Sequence, residues 1–112
     1  GAAKDFLVYG RMQRPAPVAG IPVITWEWNS HVYRVPAVFH EAYTAPDGRF
    51  GVALANWTDR PRRVTLHDAR LGARAVVHTA GPKTARKAID GDSPLTVTVP
   101  AHGCVLVAGD EA

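Results

Sequence analysis

Nine prolines and ten glycines are spread along 112 residues at intervals too short for long helices. Proline inside a helix removes a backbone donor and clashes with the preceding turn, and glycine there costs about 1 kcal/mol relative to alanine. Between these residues lie short runs rich in Val, Thr, Tyr, Trp and Phe, side chains that fit a pleated, half-buried surface. The pattern predicts an all-β chain, an antiparallel β-sandwich of about eight short strands with Greek-key-like connections. The only helical expectation is one short N-terminal helix over Ala2–Tyr9.

Strand by strand, Leu95-Thr-Val-Thr-Val99 alternates apolar and polar residues and is bracketed by Pro94 and Pro100, which marks strand ends. Cys104–Ala108 is apolar on both faces and reads as a strand inside the sandwich, with Cys104 as a small core residue. The short Ala101-His102-Gly103 link predicts a hairpin between these two strands. Phe50–Asn56 alternates large residues with Gly51, Ala53 and Ala55, and Ala45-Pro-Asp-Gly48 predicts a tight reversal joining it to Val38–Thr44. Val64 and Leu66 point inward from Arg63–His67. Pro22–Trp28 and Val32–Val35 flank a turn at Asn29-Ser30, Ala73–His78 reads as a further strand, and a short one is expected around Thr84–Ala88. Residues 1–21 read as a connector from a preceding domain, extended over Arg11–Ile21; residues 22–109 form the sandwich and 110–112 a tail.

Charge and chemistry narrow the function. The net charge is +3, and the one tight cationic cluster, Arg60, Arg62 and Arg63, is broken by Pro61 and preceded by Asp59. It reads as a solvated turn leading into a strand, so no nucleic-acid partner is expected. No run of eighteen apolar residues occurs, and no membrane partner is expected. Ten of the thirteen cations are Arg and alanine is abundant, which suggests a GC-rich, bacterial genome. Gly1 in place of an initiator Met reads as a tag-cleavage scar or the start of an excised fragment, so the compartment, secreted or cytoplasmic, stays open.

Ionisable residues do not fall in catalytic patterns. Glu27 and Glu41 are the acids within aromatic or apolar strand segments. Glu27, between Trp26 and Trp28, would have a raised pKa if buried; the alternative is the wet face of its strand. His31, His40, His67, His78 and His102 lack metal-ligand spacing, and a lone cysteine supplies no thiolate site. No metal, no cofactor and no catalytic residue is expected. The sequon Asn56-Trp57-Thr58 reads as local hydrogen bonding in a turn. Trp26 and Trp28, at i and i+2, share a strand face, and Tyr33, Tyr43 and Trp57 are expected nearby. Trp26, Trp28, Tyr33 and Trp57 are therefore candidate carbohydrate-binding residues, because indoles stack on the C–H faces of sugars. The alternative is that they fill the core or an interface to a neighbouring domain.

Two stretches carry a resemblance. Gly51-Val-Ala-Leu-Ala-Asn-Trp-Thr-Asp-Arg-Pro61, running into Arg62-Arg-Val-Thr-Leu66, resembles the Asn-x-Thr-Asp-x-Pro strand–turn–strand of C-terminal all-β accessory domains in (β/α)8-barrel glycoside hydrolases. These include α-amylase-like, α-galactosidase-like and uncharacterised hydrolase-like barrel proteins. Leu95-Thr-Val-Thr-Val-Pro-Ala-His-Gly-Cys-Val-Leu-Val107 is similar to their closing hairpin, and Lys4–Pro15 looks like the exit from such a barrel. The resemblance covers about half the chain. It implies a non-catalytic domain serving stability and interdomain packing, with the catalytic barrel of the same parent chain as partner and polysaccharide or oligosaccharide as a further one. An autonomous carbohydrate-binding module is the alternative. The cleaving acids of those families lie on the barrel, and no position here matches them.

Overall fold

Strand-forming runs separated by Gly and Pro give eleven strands among the described residues of the computed structural model, 10–80, 85–90 and 94–109. They are β1 (Arg11–Gln13), β2 (Val18–Ala19), β3 (Val23–Trp28), β4 (His31–Pro36), β5 (Val38–Thr44), β6 (Phe50–Asn56), β7 (Arg62–Leu66), β8 (Arg74–Ala80), β9 (Ala85–Asp90), β10 (Leu95–Val99) and β11 (Cys104–Gly109). All pairs are antiparallel. A six-stranded sheet runs β1-β5-β6-β11-β8-β9, a three-stranded sheet runs β10-β7-β2, and β3 and β4 pair only with each other. The all-β sandwich expected from the sequence is the observed architecture, with no closed barrel among the described residues. The expected Ala2–Tyr9 helix lies outside them.

The two larger sheets face each other across one core. The six-stranded sheet contributes Val38, Ala42, Phe50, Val52, Leu54, Ala75, Val105 and Val107, and the smaller sheet Val64, Leu66, Leu95, Val97 and Val99. Each fully buried Val or Leu contributes about 1.5–3 kcal/mol relative to exposure. The alternation seen in sequence is the burial pattern of β10, whose Leu95, Val97 and Val99 are buried while Thr96 and Thr98 are exposed. Loops close as their residues dictate. Gly48 takes a positive φ of 92° and donates to Ala45 O at 2.9 Å, and Asp47 accepts from the backbone N–H of Arg49.

Three expectations are corrected. The β10–β11 link is not a hairpin. Gly103 N–H donates to Pro100 O and His102 adopts φ 52°, but the chain crosses from the small sheet to the large one. β11 pairs instead with β6 and β8, giving a Greek-key-like insertion. Cys104 is exposed, because it sits at the end of β11 on the outward face, and only Val105–Gly109 are buried. The extended connector also pairs, β1 with β5 and β2 with β7, and these two strands add to the nine runs named from the sequence to give eleven.

A polar latch ties the β6–β7 turn to the β10–β11 crossing. Asn56 is buried; its Nδ2 donates to Arg60 O at 2.7 Å and to Val99 O at 3.0 Å. Its Oδ1 accepts from Thr58 N at 2.9 Å and Thr58 Oγ1 at 2.7 Å. Asn56 N–H donates to Gly103 O, His102 N–H to Thr58 O, and Arg62 Nε to Thr58 Oγ1. The amide of the sequon is thus consumed by the fold, as the local hydrogen-bonding reading required. At the other end of the core, Asp68 caps the 3₁₀ turn Ala69–Leu71, and Arg70 lies over the Phe50 ring at 4.1 Å.

Candidate functional site

The β3–β4 hairpin stands apart from both larger sheets. Val-Ile-Thr-Trp-Glu-Trp and His-Val-Tyr-Arg-Val-Pro are strand-forming on both sides of Asn29-Ser30, whose φ values of 54° and 67° are those a two-residue primed turn requires. The turn sets the register: Trp28 opposite His31, Trp26 opposite Tyr33, Ile24 opposite Val35. Opposed residues share a face, so Ile24, Trp26, Trp28, His31, Tyr33 and Val35 lie on one side. Val23, Thr25, Glu27, Val32, Arg34 and Pro36 lie on the other. Only Ile24 and Val35, near the base, are even half-buried. The arm is about 20 Å long at the usual strand rise.

Trp57 anchors the base. Held between the latch residues Asn56 and Thr58, its Nε1 donates to Pro36 O at 2.6 Å, and its ring meets Trp26 edge-on at 6.3 Å and 64°. Trp26 in turn stacks on Tyr33 at 5.5 Å and 18°, and His31 tilts against Tyr33 at 6.4 Å and 59°. Exposure rises toward the tip: Trp57 39%, Trp26 42%, Trp28 67%, with Tyr33 at 37%. The structure thus brings Trp26, Tyr33 and Trp57 together and places Trp28 on the same face farther out. None of them fills the core of this domain, so the core-filling alternative is overturned.

Other sequence candidates separate. Tyr43 is not near the arm; it lies on the six-stranded sheet, where its hydroxyl donates to Glu41 Oε2 at 2.6 Å. That hydrogen bond to a carboxylate raises the Tyr43 pKa. Glu27 is exposed on the face opposite the indoles, the wet-face alternative, and on a different sheet from Glu41. Among the described residues no three His, Cys, Asp or Glu side chains come together in a way that could hold a metal. Arg60 and Arg63 are exposed, and Arg62 is spent on the latch. His31 joins the aromatic face, a member that sequence reasoning missed. A signal for it exists: a two-residue turn at Asn29-Ser30 puts it directly across from Trp28.

The sequence matches no protein-family model and no curated protein. The fold is similar to two solved structures. An α-L-arabinofuranosidase from Thermotoga maritima in an arabinose complex superposes with a TM-score of 0.56 at 18% identity, over 71% of this chain and 21% of that one. The thermostable GH51 α-L-arabinofuranosidase from Thermotoga petrophila RKU-1 superposes with a TM-score of 0.55 at 17% identity, over 86% and 24%. The chain spans less than a quarter of the length of these enzymes.

Proposed function

We propose that this chain is a non-catalytic β-sandwich domain of a carbohydrate-active enzyme, a glycoside hydrolase, serving stability and interdomain packing beside a catalytic (β/α)8 barrel of the same parent chain. The observation that carries it is the match of most of the sandwich to a minor part of two α-L-arabinofuranosidases. The Asn-x-Thr-Asp-x-Pro segment that carries the sequence resemblance supports it, because those residues are here the latch that fixes the β6–β7 turn. The test is to read the gene upstream of Gly1 and compare the parent protein with and without these 112 residues. A barrel that keeps its hydrolytic chemistry but melts at lower temperature once the domain is removed is expected. Hydrolysis of aryl glycosides by the isolated domain would overturn the proposal.

A second reading, sugar binding by Trp26, Trp28, Tyr33 and Trp57, is favoured by the exposure of Trp28. Quenching of tryptophan fluorescence by millimolar arabino- or xylo-oligosaccharides would support it, and no quenching would remove it.

A further inference from the structure

We propose that Trp57 is the positioning residue of the β3–β4 arm, coupling the order of this hairpin to the Asn56–Thr58 latch in the core. The role differs from the sugar contact that the second reading above gives it, and it holds whatever the arm meets. A two-stranded hairpin on its own is marginally stable in water, and β3 and β4 pair only with each other. They leave the sandwich at Pro22 and rejoin it at Ala37, where Ala37 N–H donates to Pro22 O at 2.8 Å. Ile24 packs against the core just beyond. From Thr25 to Arg34 every residue is exposed, so the outer part of the arm needs a further support.

Trp57 gives that support to both strands. Its Nε1 donates at 2.6 Å to the carbonyl of Pro36, the last residue of β4, and its ring meets Trp26, midway along β3, edge-on at 6.3 Å. Trp26 passes the contact on to Tyr33 of β4, stacked at 5.5 Å. The indole can serve as a strut because its backbone is held on both sides. Asn56 N–H donates to Gly103 O, Thr58 N–H to Asn56 Oδ1, and Thr58 O accepts from His102 N–H. A side chain fixed at its root by the core and bonded at its tip to the arm carries the state of one to the other, and such coupling is reciprocal. The orientation of the Trp26–Tyr33 pair is thereby set from the polar network of the core.

Amide hydrogen exchange of the 112-residue chain, resolved strand by strand, tests this. Trp57→Phe keeps a ring beside Trp26 and loses the bond to Pro36 O, whereas Trp57→Ala loses both. From the usual worth of one hydrogen bond and one aromatic pair, β3 and β4 should exchange about fivefold faster in Trp57→Phe and about thirtyfold faster in Trp57→Ala. In Trp57→Phe the amides of β6 and β11 should change by less than about twofold, because local opening of the arm leaves the core closed. Thr58→Val loosens the latch without touching the indole and should also speed exchange in the arm. It should do so by a smaller factor in the Trp57→Phe background, the non-additivity of residues that act through one another. Unchanged arm exchange in the Trp57 variants would overturn the proposal. Equal acceleration of arm and core in Trp57→Phe would overturn it too, by making Trp57 a general stabiliser. Additive effects of Thr58→Val and Trp57→Phe would overturn the coupling to the latch.

Discussion

Replacing Asn56 by alanine removes at once the four hydrogen bonds its side chain makes in the latch. A typical intramolecular hydrogen bond is worth about 1 kcal/mol net, and a buried group left without a partner costs about 1–3 kcal/mol. The four partners do not fare equally once the amide is gone. Arg60 is exposed, so its carbonyl regains water, and the Thr58 hydroxyl keeps Arg62 Nε and Arg60 O, whereas Val99 O and the Thr58 N–H each lose a buried partner. The expected loss for Asn56→Ala is therefore about 3–5 kcal/mol, or about 12–20 °C in melting temperature for a chain of this size. Urea unfolding followed by circular dichroism measures it directly. Thr58→Val keeps the backbone donor and should lose only about 1–2 kcal/mol. The double variant should lose less than the sum, because both singles delete the Thr58–Asn56 bond. Trp57, held between the two, should report loosening as a fluorescence change. An Asn56→Ala variant within about 1 kcal/mol of the wild type, on the scale of a single hydrogen bond, would refute the latch as the device that joins the two turns.

Asp68 accepts from the Arg70 side chain at 2.6 and 2.9 Å and from its backbone N–H, which holds its carboxyl below the usual carboxylate range. A depressed folded pKa gives stability that is complete above the unfolded value of about 4 and lost as pH falls through the folded one. Acid titration of the melting temperature should show this limb in the wild type and a smaller one in Asp68→Asn; identical limbs would argue against it. Gly109→Ala would put a Cβ 2.7 Å from Leu71 O and 3.3 Å from Phe50 O, both backbone, so a loss of about 1–3 kcal/mol is expected in thermal melts. Cys104 should react with an aromatic disulfide reagent in the native state nearly as fast as in denaturant, and a protected thiol would contradict its exposed position.

Strands with a clear period of two are legible from sequence: β10, β6 and β7 present the inward residues that the alternation indicates. The Asn29-Ser30 and Pro46–Gly48 turns are legible because their residues tolerate positive φ or preset it. Sheet membership is not. Pro100-Ala-His-Gly103 is compatible with a hairpin or with a crossing, and the choice depends on β6 and β8, distant in sequence, flanking β11. Cys104 misleads for a related reason, since an apolar run without period does not say where burial stops. β1 and β2 are too short to carry a pattern. Of the candidate site, the shared face of Trp26 and Trp28 follows from spacing alone. Its exposure does not, because whether a strand face is wet depends on whether another layer lies over it.

The position of β11 has a consequence for biogenesis. The strands emerging from the ribosome before it leave two incomplete ribbons, β1-β5-β6 and β8-β9, with no hydrogen bonds between them. Cys104–Gly109 is the keystone that zips both edges at once, so the larger layer closes only after β1 to β10 have all left the exit tunnel. Until then the edges of β6 and β8 remain open to pairing with other nascent chains. Closure over long sequence separations also makes folding slow relative to helical domains of equal size.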